Sequence, residues 1–218
     1  MKDVCFVSYA FGEIYVQQQR RLRQSIEKIY PEANIMFWTE ELPPGARNFY
    51  ESLYGFKPHA ILAAVEAGFP KVIFLDPAMV LADKIDDLFQ FPIVAVKDDN
   101  KLHKTGDSPL VSNKCLAYYG LTGEMIERYG WHLVGGSLYY FDFTRTKPLR
   151  VFQQWMEAEQ EGLFGSQKEA TTEQINGHRN DETCMALAMY MHGIEPQGAY
   201  QVRYCIQDNP MFIKKHFK

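Results

Sequence analysis

The chain opens on short, nearly unbroken apolar runs that stop at polar or turn residues, alternating with longer stretches of helical period. Runs of the first kind are what strands covered on both faces look like. Val4 to Ala10 (VCFVSYA) predicts a first strand, closed by the polar-aromatic turn Ser8-Tyr9-Ala10-Phe11-Gly12. Glu13 to Ile29 predicts a helix with Ile14, Leu22, Ile26 and Ile29 inward, a solvated face over Gln17 to Arg23, and Pro31 as its stop. Asn34 to Trp38 predicts a second strand, and Thr39 to Tyr54, with Pro43-Pro44-Gly45, a loop with one helical turn. Pro58 at a first-turn position predicts a helix burying Ile61, Leu62 and Val65 and ending at Gly68. Lys71 to Leu75 (KVIFL) then predicts the central strand, running straight into Asp76, Pro77 and Ala78.

The remaining pattern is more broken. Asp83 to Phe89 reads as a short amphipathic turn, Pro92 to Val96 as a strand and Lys97 to Lys114 as a long polar loop. A helix at Thr122 to Tyr129 precedes an aromatic strand, Trp131 to Phe143. A helix from Pro148 to about Glu161 buries Phe152, Trp155 and Met156, and another from Asp181 to His192 ends at Gly193. Polar loop (Gly165 to Gly177), a tail strand (Tyr200 to Ile206) and a basic end (Lys214 to Lys218) complete it. The order β-α-β-loop-α-β predicts an α/β fold with a mostly parallel central sheet and flanking helices.

With 218 residues the chain suits one domain with a sizeable core. The formal charge of −4 gives no polycationic footprint, so nucleic acid is not an expected partner. No apolar run nears the roughly 20 residues of a membrane span, and Gly12 and Glu13 interrupt the amino-terminal apolar stretch, against a signal peptide. Cys5, Cys115, Cys184 and Cys205 lack metal-type spacing and read as reduced thiols of a cytoplasmic protein.

Four places carry candidate chemistry. Asp76 follows the central strand, where open α/β sheets place ligands, and would otherwise cap a turn. Lys57, just before Pro58, puts a cation beside helix N–H groups and suits phosphate, or simply faces solvent. Gly135-Gly136 in the aromatic strand marks either a close backbone approach or a bulge. In His178-Arg179-Asn180-Asp181-Glu182-Thr183, Asn180 or Asp181 caps a helix and the carboxylates suit its positive end. Capping does not need His178 and Arg179; together they suit a diphosphate or a sugar, with a carboxylate as base or polar partner.

As a set these pieces resemble the GT-A-fold, nucleotide-sugar-dependent glycosyltransferases, and the resemblance covers most of the chain. The carriers are Ser8-Tyr9-Ala10, the run from Tyr54 to Phe89 (YGFKPHAILAAVEAGFPKVIFLDPAMVLADKIDDLF), WHLVGGSLYYFD and GHRNDETCMALAMYMHGI. The resemblance implies a Rossmann-like GT-A sheet plus a small acceptor-side sheet in a single domain, 1–218. Residues 1–97 would be the nucleotide-binding half and 98–218 the acceptor-side half. It implies transfer of a sugar from a nucleoside diphosphate, UDP being expected, to a hydroxyl of a glycan or a lipid-linked (glycolipid) acceptor. Ser8, Tyr9 and Ala10 would bind the nucleoside and Asp76 the metal or the donor ribose. Lys57, His178 and Arg179 would stabilise the departing diphosphate. Asp181 or Glu182 would contact the donor sugar or take the acceptor proton.

One departure stands out. The family pattern has a second aspartate where this chain has Ala78, and Mn²⁺ or Mg²⁺ prefers hard oxygen ligands. Three outcomes stay open: metal held by Asp76 with His216 of the tail, direct neutralisation of the diphosphate by Lys57, Arg179 and His178, or a dead site. A non-catalytic sugar- or protein-binding module is the alternative from another class. A sugar-nucleotide nucleotidyltransferase is the rival enzyme, though the turn after the first strand lacks that group's glycine-rich basic loop. The basic tail offers too few charges to claim a peripheral membrane contact.

Overall fold

A computed structural model describes residues 1–103, 110–166 and 180–198, and the backbone alone of 205–207. Its central sheet has five strands: β1 (Val4–Ala10), β2 (Asn34–Thr39), β3 (Lys71–Leu75), β5 (Ile93–Lys101) and β6 (His132–Asp142), in the order β2-β1-β3-β6-β5. Strands β2 and β3 flank β1 in parallel, and β6 alone runs against its neighbours. The sheet is therefore mostly parallel, the α/β class expected from the strand order, and consistent with a GT-A-like, Rossmann-type arrangement. It draws strands from both halves of the chain, so residues 1–97 and 98–218 share one sheet.

Alternation along each strand divides the core. Cys5, Val7, Val72, Phe74, Tyr139 and Phe141 face one side and pack on α2 (Phe56–Glu66), α5 (Thr146–Gln160) and α6 (Asn180–Met191). Phe6, Ile73, Leu75, Leu138 and Tyr140 face the other side and meet Leu22 and Ile26 of α1 (Glu13–Ile29). Helices α2 and α6 are buried nearly all round, which is why their sequences lack an amphipathic stripe. Two short helices, α3 (Asn113–Tyr119) and α4 (Gly123–Tyr129), close the first face; Ser112 and Thr122 cap them through side-chain oxygens and glycines end them in left-handed conformation.

Several expectations need correction. The Gln17 to Arg23 face is not solvated throughout: Gln18 and Gln19 are buried, Gln19 donates to the Trp38 carbonyl, and Arg21 donates to the Ala78 carbonyl. Ile14, expected inside, is 70% exposed. Strand β5 continues through Lys101 into what the polar composition reads as loop, because its edge pairs with β6 as far as His132. The small second sheet joins β4 (Met79–Leu81), directly after the Asp76 turn, to β7 (Cys205–Gln207). The aromatic strand expected over Trp131 to Phe143 is β6 of the central sheet. Residues 104–109 of the predicted loop Lys97 to Lys114, residues 167–177 of the predicted loop Gly165 to Gly177 and most of the tail lie outside the described residues.

Candidate active site

Strand β6 carries an irregularity beside the end of β3. Tyr139 faces Ala95 but Gly135 faces Val96, so Gly136, Ser137 and Leu138 are extra residues against β5. They still meet the other neighbour, since Leu138 pairs with Leu75 and the Asp76 N–H donates to the Ser137 carbonyl at 2.9 Å. The glycine pair thus marks both things left open by the sequence, a bulge and a close approach. A Cβ on Gly136 would lie 2.6 Å from Lys57 Nζ and 3.0 Å from Glu182 Oε1. Only glycine leaves room for those two side chains to meet the strand there.

Lys57, on the first turn of α2, is 3% exposed, which rules out the solvent-facing alternative. Its Nζ donates to Asp181 Oδ2 at 2.7 Å, and the Tyr139 hydroxyl donates to the same oxygen at 3.2 Å. Asp181 is 1% exposed and its carbonyl accepts from Trp155 Nε1 at 3.0 Å, so the start of α6 is tied to α2, β6 and α5 at once. Next along α6, Glu182 is half-buried and its Oε1 accepts the Gly136 N–H at 3.0 Å. Asp76 Oδ1 accepts the Ala78 N–H at 2.9 Å, the turn cap expected of it, while its carboxylate also feels Lys57 and Glu182.

One ammonium therefore serves three carboxylates. Burial opposes charge on Lys57, but Asp181, Glu182 and Asp76 offset it and leave its pKa above the ordinary lysine value. Burial pushes Asp181 up to about 6 against the pull of Lys57, and likewise raises Asp76 against the Ala78 N–H and Lys57. The Tyr139 phenol, raised well above its ordinary value first by burial and then by Asp181, stays protonated as a donor. The only non-glycine residues with positive φ among those described, Glu40, Tyr54 and Asn180, follow β2, precede α2 and start α6. Strain of this kind is retained where surrounding structure fixes a particular geometry.

The structure thus brings Lys57, Asp76, Asp181 and Glu182 together at the carboxyl end of β3. Ser8, Tyr9 and Ala10 are buried at the end of neighbouring β1; Ser8 Oγ has no hydrogen-bond partner among the described residues, and the Tyr9 ring lies 4.7 Å from that of Phe56. His178, Arg179 and His216 lie outside the described residues. Sequence reasoning gave no role beside the Lys57–Asp181 pair to Tyr139, whose inward position follows from the two-residue period of β6, or to Tyr54, whose ring lies 4.7 Å from Lys57 Nζ. It also missed Arg21, which holds the turn after Asp76 by its bond to the Ala78 carbonyl.

A divalent ion is implied by the GT-A resemblance. Among the described residues no three His, Cys, Asp or Glu side chains converge as a cage, and an ammonium sits amid the acids instead. Those residues do not by themselves fit the ion.

Comparison with protein-family models and with curated proteins gives no match. Among solved structures the chain is similar to a glycosyltransferase involved in the glycosylation of the major capsid of PBCV-1, with TM-score 0.45 and 10% identity over 78% of this chain and 75% of that one. No described helix is long and apolar enough to cross a membrane.

Removing one partner of the buried pair leaves an uncompensated charge. Lys57→Met is expected to cost about 3–5 kcal/mol at pH 7, and Lys57→Met with Asp181→Asn to recover most of it, read from urea unfolding. Equal losses for the single and double variants would contradict the pairing. Between the ordinary carboxylate value of 3.8 and about 6, folded Asp181 keeps a proton that the unfolded chain has released. Its stabilising contribution is therefore full below about 4 and declines as pH rises to 6. Wild-type stability relative to Asp181→Asn should fall between pH 4.5 and 6.5; a rise would mean that Lys57 outweighs burial.

Proposed function

We propose that the chain is a glycosyltransferase that moves a sugar from a nucleoside diphosphate, UDP in the first instance, to a hydroxyl of a glycan or lipid-linked acceptor. The observation that carries the reading is the Glu182 carboxylate, fixed by the Gly136 N–H beside Lys57 and Asp76 at the carboxyl end of β3. Ligands of open α/β sheets bind in that crevice.

In this reading Ser8, Tyr9 and Ala10 receive the nucleoside, and Asp76 faces the donor ribose or, with His216, a divalent ion. An ammonium has three N–H donors and Asp181 takes one, so Lys57 keeps capacity for the departing diphosphate. His178 and Arg179, immediately before α6 in the sequence, add positive charge to that task. Asp181, committed to Lys57 and Tyr139, positions Lys57 rather than meeting substrate. Glu182, half-buried and held at the Gly136 N–H beside Lys57, is the carboxylate assigned to the chemistry. In an inverting course the bond from the anomeric carbon to the diphosphate oxygen breaks, the acceptor oxygen bonds to that carbon, and Glu182 takes its proton. In a retaining course Glu182 faces the donor sugar.

A second reading, a non-catalytic sugar- or protein-binding module, draws support from the excess of carboxylates over ammonium in the described site, which by itself disfavours an anionic donor.

A ligand that binds only the folded chain raises its melting temperature. UDP or a UDP-sugar is expected to raise it, and the change on adding Mn²⁺ reads whether an ion assists. Glu182→Gln should keep the shift while slowing release of UDP by about 10²–10⁴-fold, the usual worth of a positioned base or acid. No shift with any nucleotide, or full turnover in Glu182→Gln, would overturn the assignment.

A further inference from the structure

Six of the eleven exposed large apolar side chains of the described residues fall in two short stretches, Phe11, Ile14 and Tyr15, and Phe49, Tyr50 and Tyr54. Exposure at Phe11, Ile14 and Tyr50 reaches 62%, 70% and 69%, and a clustered surface of this kind is unusual on a folded chain without a use for it. The stretches meet. The Phe49 ring lies edge-on to Tyr54 at 5.3 Å, Tyr54 lies 6.3 Å from Phe56, and Phe56 lies 4.7 Å from Tyr9 at the end of β1. Burial raises the Tyr54 phenol's pKa, Lys57 opposes it, and Tyr15 is close enough to act on it as well. The surface therefore adjoins the Lys57–Asp181 pair through Tyr54.

It is also held in place. Arg47 Nε and Nη2 donate to Glu159 Oε1 of α5 at 3.1 and 2.7 Å, and the Leu53 N–H donates to the Gly165 carbonyl at 3.0 Å. On the other side the Gly12 N–H donates to Glu40 Oε1 at 3.2 Å, joining the end of β1 to that of β2. A surface fixed beforehand gives up little freedom on binding.

Charge selects the occupant. Over residues 11–15 and 40–54 the chain carries four carboxylates, Glu13, Glu40, Glu41 and Glu51, all exposed, and one cation, Arg47, which is engaged by Glu159. Phospholipid headgroups, nucleic acid and other polyanions are repelled by such a rim. An uncharged polyol is not. Aromatic faces suit the C–H faces of a pyranose, and carboxylates accept strong hydrogen bonds from its hydroxyls.

We propose that this face binds an uncharged saccharide and is the docking surface of the sugar acceptor in the transfer proposed above, on which the word acceptor rests. Saturation-transfer NMR with maltohexaose, cellohexaose and chitohexaose, in the absence of nucleotide, tests it separately from donor binding. At least one hexasaccharide should bind the wild type, and Phe11→Ala with Tyr50→Ala should weaken it about tenfold. Tyr118→Ala with Tyr129→Ala, exposed rings elsewhere, should leave binding unchanged, and the Phe11/Tyr50 variant should keep the wild-type melting temperature because those two rings are mostly exposed. Binding by none of the three, or equal binding by the Phe11/Tyr50 variant, overturns the proposal. So does loss, in that variant, of binding to uridine or to phosphatidylglycerol vesicles instead. Hexasaccharide binding without any UDP-sugar cleavage keeps the surface and removes the transferase.

Discussion

The buried contact between Lys57 and Asp181 is the constraint on which the rest of the site depends. It joins two helices that enter from distant parts of the chain, and the Tyr139 hydroxyl ties the same oxygen to the middle of the sheet. Desolvation makes such a pair a poor source of stability, and the raised pKa of Asp181 shows burial outweighing attraction on the acid's side. What the pair provides is placement. With Lys57 and Asp181 locked, the next residue of α6, Glu182, is directed at the Gly136 N–H.

Gly136 and Ala78 are two small residues with opposite consequences. Gly136 opens space at the strand bulge, and the ammonium and Glu182 occupy its edge. Ala78 offers no side-chain oxygen beside Asp76, and its backbone is used instead: its N–H caps Asp76 and its carbonyl receives Arg21. The turn after β3 is thus fixed by bonds to its main chain. The three carboxylates there share one internal cation, Lys57, supplemented in the proposed function by His178 and Arg179.

Much of this architecture was legible in the sequence because it rests on local signals. The Glu13–Ile29 helix and the Lys71–Leu75 strand follow from period and from turn residues, and the parallel β1–β3 pairing follows from the order of elements. Lys57, Asp76, Asp181 and Glu182 were legible as chemistry-bearing residue types beside element ends. Their mutual contacts were not, since residues 124 apart meet only through the sheet. The errors share a cause. Ile14 keeps helical spacing yet sits exposed in the first turn, while Gln18 is buried, Gln19 donates to the Trp38 carbonyl and accepts from the Thr39 hydroxyl, and Arg21 donates to the Ala78 carbonyl. Strand β5 looked like loop after Val96 because an edge strand tolerates polar residues that a central one does not.

The measurement that addresses the central claim most directly is ³¹P NMR of a UDP-hexose panel mixed with the chain, beside the Lys57→Met, Asp181→Asn form as comparison. The account predicts that the diphosphate resonances of at least one donor broaden and give way to those of free UDP with the wild-type chain, and stay sharp with the form that lacks the ammonium. Unchanged phosphorus signals for every donor, or identical cleavage by both forms, would contradict it and leave the crevice without the role given to Lys57.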